Sequence, residues 1–185
     1  QMCIRDRINR VDGMPYAGAT RQYALDSAAN IFYGDLVKLV AGVVSKFVPG
    51  TDTNPLGVFV GAQYTNSMGQ TIQGQYYPAG AANGIGYIVV DGQAAYKVAV
   101  TTALGAVIDT TTIAAIGANI QAVGGSGNTT TGDSTMSVLA GSEGISATLP
   151  VKVIDVVPAT KTATGYPELI VKINVTQFNN AAGVV

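Results

Sequence analysis

The chain has 185 residues, 48% hydrophobic and 11% charged, with a net charge of -1. That length buries one ordinary core, but the charged share is less than half of the roughly 25% usual for a soluble domain. Lys97 is the sole basic residue between Lys46 and Lys152, which excludes the basic stripe that phosphate binding needs.

The polarity comes instead from Thr, Ser, Asn, Gln and Gly. These residues face a neighbouring protein at little desolvation cost, whereas Lys and Glu are depleted at interface cores. No apolar run approaches the roughly 18 to 20 residues of a membrane-spanning helix, since 36–48 is interrupted by Lys38, Ser45 and Lys46. No membrane or nucleic-acid partner is expected. Residues 1–10 carry Arg5, Asp6, Arg7 and Arg10 and no apolar stretch, so the sequence predicts no general secretory export unless a leader has been removed.

In chain order, QMCIRDR at 1–7 differs in character from the rest of the chain and looks like a translated adapter remnant, which would empty Cys3 of functional meaning. Residues 8–29, with Gly13, Pro15 and Gly18 and no sustained apolar period, predict an extended N-terminal arm lying across a neighbour. The β domain then occupies 30–185, with a break into two small lobes allowed near 124–132.

Residues 31–40 and 43–48, rich in Val, Leu and Phe around Ala41-Gly42, predict a hairpin. The next predicted pair is 56–65 with 70–77 across Asn66-Ser67-Met68-Gly69, its second half lacking strict alternation as edge or interface strands do. Residues 85–90 and 94–100 predict the clearest hairpin, across Asp91-Gly92.

From 101 to 117 a short helical turn near 111–116 is as plausible as a strand. GGSGNTTTG at 124–132 reads as a low-complexity loop unable to bury enough area to order itself. A short strand comes next at 136–139, and strong β signal returns at 149–157 and 168–178. With no long amphipathic helix, the fold class is all-β: a compact barrel or sandwich of about eight to ten short strands.

Zero histidines remove the commonest general base and every Ser-His or Cys-His pair, and one Cys without His cannot complete a zinc shell. There is no phosphate-loop motif. Asp91, Asp109, Asp133 and Asp155 are isolated in sequence and suit turns more than catalysis. Loop oxygens of the kind calcium accepts occur at Asp52 with Asn54, or at Asp133, without the ligand density of an EF-hand loop. The glycosylation patterns at Asn128 and Asn174 read as chance without a secretion signal. The chain is therefore expected to be non-enzymatic, with no cofactor and no metal.

Attention moves to the nine tyrosines. Tyr87 and Tyr96 suit ordinary strand packing. Tyr64, Tyr76 and Tyr77 suit an interface, Tyr76 and Tyr77 because neighbours on a strand point to opposite faces. Tyr16 and Tyr23 in the arm and Phe178 near the end complete the candidate interface.

NIFYGDLVKLVAGVV at 30–44 resembles the opening of marine tailed-phage virion structural proteins of the head decoration or capsid cement family. Residues 55–80 and 86–100 are similar to that family's next strand blocks, and LPVKVIDVV and LIVKINVTQFNNAAGV to its closing strands. The resemblance spans about four-fifths of the chain. Family members often continue Asp-Asp-Pro after the position of Val90, where this chain has Asp91-Gly92-Gln93, so the tip differs. The resemblance implies a subunit on the outer capsid surface of the virion that contacts the major capsid protein, bridges capsomers and forms a homo-oligomer, with a trimer favoured. A tail, fibre or surface-filament subunit with an adhesive role is the alternative from another class.

Overall fold

A computed structural model describes residues 6–11, 14, 20–101, 115–160 and 167–179, with side chains from residue 10 onward. The described chain is all-β, with a short 3₁₀ turn at Pro158–Thr160 and no α-helix. Two large antiparallel-dominated sheets and a two-stranded ribbon make up the fold.

The first sheet combines β2 (Thr20–Ala24), β4 (Leu36–Val40), β5 (Val43–Lys46), β6 (Gly57–Thr65) and β9 (Ala82–Val89) in the order β2-β9-β6-β4-β5. β7 (Thr71–Gly74) pairs with the second half of β6. The two ends of this sheet meet through a bridge between Leu25 and Val44, where the Asp26 N–H donates to the Val44 carbonyl at 2.8 Å. The sheet is thereby curled into a nearly closed barrel. The ribbon of β3 (Ile31–Phe32) and β8 (Tyr76–Tyr77) contributes Ile31 and Tyr77 to the same core as Leu25, Val37, Val44 and Phe59.

The second sheet holds β1 (Asp6–Arg10), β10 (Ala94–Thr101), β11 (Asn119–Ile120), β12 (Ala122–Val123), β13 (Ser137–Leu139), β14 (Val151–Val156) and β15 (Glu168–Ile173). Its order is β11-β14-β15-β10-β13-β12, with β1 on the free edge of β10. Strict alternation of Ala94, Tyr96, Val98 and Val100 on β10, matched by Leu169, Val171 and Ile173 on β15, points one face at the barrel.

Leu36, Val58 and Val89, from three barrel strands, pack into this second core. The barrel wall therefore has apolar side chains on both faces. β6 shows how: Val58 faces the second sheet and Phe59 the barrel, and a register shift between Phe59 and Gly61 then changes the parity, so Ala62 and Tyr64 also face inward. Each fully buried Val, Leu or Phe contributes roughly 1.5–3 kcal/mol.

Two predicted hairpins are present, β4 with β5 and β6 with β7, and β14 pairs antiparallel with β15. The ends of two predicted strands, Ile31–Phe32 and Tyr76–Tyr77, leave those hairpins and pair with each other as β3 and β8. At the first turn Ala41 and Gly42 both have positive φ, 48° and 82°, the mirror-image geometry whose twist matches the flanking strands.

Other expectations are corrected. β9 and β10 do not form a hairpin; they lie in different sheets. Both edges of β9 are taken by β2 and β6, and β10 is flanked by β15 on one side and β1 and β13 on the other. Asp91-Gly92-Gln93 is instead the corner between sheets, closed by the Gln93 N–H donating to Asp91 Oδ1 at 2.8 Å. The proposed arm at 8–29 contains β2, a full barrel strand, and the boundary between 7 and 8 falls inside β1. The helix-or-strand alternative at 101–117 falls largely outside the described residues.

The segment 124–132 is no lobe boundary. The Tyr33 N–H donates to the Gly132 carbonyl at 2.9 Å, Asn128 Oδ1 accepts from the Thr130 N–H at 2.9 Å, and Lys46 Nζ donates to the Gly125 carbonyl at 3.0 Å. Gly127, at φ 69°, lies against the Phe32 ring with no room for a Cβ. The loop is ordered by borrowing the barrel's surface, not by burying area of its own. Gly127→Ala is expected to lower stability by about 2 kcal/mol or more, from backbone strain plus displacement of the ring. Urea unfolding measures this, and an unchanged midpoint would show that the loop does not dock on Phe32.

Candidate functional site

The structure divides the six candidate interface residues. Tyr16 lies outside the described residues. Tyr64 and Tyr77 are corrected from contact to core: they are 8% and 1% exposed, and their rings meet edge to face at 5.8 Å. The reason is space left on β9. A Cβ at Gly84 would sit 2.5 Å from the Tyr77 ring, so that glycine makes the room the ring fills. The Tyr77 hydroxyl donates to the Ala81 carbonyl at 2.6 Å. Burial raises the pKa of both phenols, helped by Tyr76 beside Tyr64 and by Asp26 near Tyr77.

Tyr23, Tyr76 and Phe178 keep some exposure. Tyr76 is half-buried and stacks on Phe32, centroids 5.5 Å apart. Phe178 is 51% exposed, and the Arg21 guanidinium lies 5.7 Å from its ring. Arg21 and Tyr23 are two apart on β2 and share a face, so Phe178 borders the Tyr23 strand. Tyr96 is buried and Tyr87 half-buried, in keeping with strand packing.

A polar cluster that the sequence does not announce lies where β3, β4 and β5 meet the loop before β13. Asp35 is fully buried. Its Oδ2 accepts from the Phe32 N–H at 2.9 Å and pairs with Lys46 Nζ at 3.0 Å, and its Oδ1 accepts from the Ser134 hydroxyl at 2.5 Å. The Lys46 ammonium also stands 5.4 Å from the centre of the Phe32 ring. Desolvation raises the Asp35 pKa, opposed by Lys46 and by the hydrogen bonds from Ser134 and Phe32. The available signal is a lone acid inside the apolar run IFYGDLV.

A cleft of about 540 Å3 opens beside this cluster, between β5, Asp26 and Ala29, and residues 124–126. Its cations are engaged. Lys38 Nζ donates to Asp52 Oδ1 at 2.8 Å, Lys46 is held by Asp35, and the Ser45 hydroxyl donates to Asp26 Oδ2 at 3.0 Å. Asp52 Oδ2 accepts from the Val48 N–H at 2.7 Å. With an ammonium on one oxygen and an amide on the other, Asp52 is poorly placed to meet calcium with Asn54. Asp133 is buried in a bridge to Tyr33. No group of three or more Cys, Asp or Glu able to hold a metal occurs among the described residues.

No family model matches the chain, and no curated protein matches it. Among solved structures, the crystal structure of the bacteriophage phi29 gene product 12 C-terminal fragment is similar at 14% identity and a TM-score of 0.36, over 83% of this chain and 98% of that one.

The Asp35 cluster carries a measurable signature. Removing one partner of a buried pair leaves the other charge uncompensated, so Asp35→Ala is expected to cost about 3–5 kcal/mol. Because the native pKa of Asp35 lies above its ordinary 3.8, the unfolded chain gives up this proton first as pH rises. The stability of the wild type relative to Asp35→Asn should therefore fall as pH climbs from 3.8 through the raised native value. Urea midpoints of the two proteins across that window measure it; a relative stability that rises would mean that Lys46 outweighs desolvation.

Proposed function

We propose that this chain is a virion structural protein that binds the outer surface of a tailed-phage capsid and stabilises the shell by bridging capsomers. The observation that carries an assembly role is the outer surface of β6 to β9. No charged residue occurs from Thr53 to Val90, and within that stretch Ser67, Thr71, Gln73, Gln75 and Asn83 are exposed. A surface polar enough to stay solvated yet free of charge loses little on burial against a protein. The resemblance of 30–44, 55–80, 86–100 and the closing strands to decoration and cement proteins supplies the phage head.

On this reading the partner is the major capsid protein, and the chain acts by binding only the assembled shell, so that its binding free energy adds to that of the shell. Neither cofactor nor catalysis enters. Many weak sites engaged together would give the avidity that one small interface lacks.

Cryo-electron microscopy of purified virions carrying this chain tests the proposal. Density for the barrel and its second sheet is expected on the outside of the head, and occupancy should persist in about 1 M salt because an uncharged interface is not screened. Density on the tail or fibres would overturn the capsid assignment in favour of an adhesive role, and loss of the subunit in high salt would overturn the uncharged interface.

A further inference from the structure

We infer that the free edge of β7 pairs with the same edge of a second copy, joining two barrels across a two-fold axis into one continuous sheet. Four strands of four or more residues pair along one side only among the described residues: β1, β2, β5 and β7, with β2 and β5 flanking the seam that the Leu25–Val44 bridge partly closes. An exposed edge offers unpaired amides and carbonyls to any passing strand, and proteins that stay monomeric commonly guard such edges with charge or proline. β1 carries Asp6, Arg7 and Arg10, β2 carries Arg21, and β5 carries Lys46. β7, Thr-Ile-Gln-Gly, carries neither charge nor proline.

That absence of charge points to the partner. In an isologous antiparallel pair each side chain faces its own copy or a near neighbour, so a charged residue would meet its own sign. The uncharged stretch from Thr53 to Val90 removes that repulsion from the whole block around β7. The local geometry agrees. Ile72 is packed against the barrel core, which fixes the strand's facing, while Thr71 and Gln73 are exposed on the other side. Met68, 82% exposed at the tip of the β6-β7 turn, adds an apolar contact next to the edge. A two-fold pair differs from the trimer that the family resemblance implies.

The test uses the full chain without capsid, so its failure is separable from failure of the capsid assignment. Sedimentation equilibrium at about 50 µM, a range that reveals micromolar association, should return twice the chain mass for the wild type. T71K/Q73K, which places like charges along the paired edge, should return the single-chain mass with an unchanged circular dichroism spectrum. Thr129→Lys, on an exposed loop elsewhere, should leave the doubled mass intact. A wild type of single or triple mass would overturn the inference. So would a doubled mass that survives both β7 lysines. If T71K/Q73K loses its β spectrum, Gln73→Lys alone makes the same comparison.

Discussion

One buried carboxylate organises the meeting of the two halves of this protein. Asp35 has no exposed surface, and a charge in that position is tolerated only when its lone pairs are filled. The groups that fill them come from different parts of the chain: the Phe32 amide just before it, the Lys46 ammonium from the next strand, and the Ser134 hydroxyl from far beyond. Ser134 passes the link on, because its hydroxyl also accepts from the Met136 N–H at 2.9 Å while its own N–H donates to the Tyr33 carbonyl at 2.9 Å. The loop at 124–136 is thus held in one register against β3, and β13 continues directly from it. A wholly apolar contact here would offer less orientation, since dispersion has no direction and hydrogen bonds do.

The second constraint is geometric. A barrel this small has little interior, and its wall strands carry more apolar residues than the interior takes. β4, β6 and β9 send Leu36, Val58 and Val89 outward, and the second sheet covers them with Tyr96, Val98 and Val171. The two sheets are therefore neither separate lobes nor a simple sandwich. They share a wall, and the low charge of the sequence fits a layout in which several strands are covered on both faces.

How much of this is legible in the sequence depends on the distance over which each feature is determined. Ala41-Gly42 and Asn66 to Gly69 announce their hairpins because the turn and both strands are adjacent in the chain. Asp91-Gly92 has equally good turn chemistry, yet β9 and β10 part there, because the partners that claim their edges, β2 and β6 on one side and β15 on the other, are remote in sequence. The same limit explains the tyrosines. Whether Tyr77 is covered depends on Gly84 leaving a hole for it, and no local pattern around Tyr77 reports that hole. The order of the segment at 124–132 is hidden for a related reason: composition describes what a loop can bury by itself, not what Phe32, Tyr33 and Lys46 lend it.

The end of the described chain returns to the first hairpin. The Gln177 side-chain amide accepts from the Leu39 N–H at 2.6 Å and donates to the Leu39 carbonyl at 3.0 Å, the exchange that a neighbouring strand would make, and the Gln177 N–H donates to the Pro55 carbonyl at 3.0 Å. During synthesis Leu39 leaves the ribosome 138 residues ahead of Gln177, at elongation rates of about 5–20 residues per second. For several seconds the nascent barrel must keep that stretch of β4 unclaimed, so the growing chain passes through an interval in which intermolecular pairing competes with its own completion.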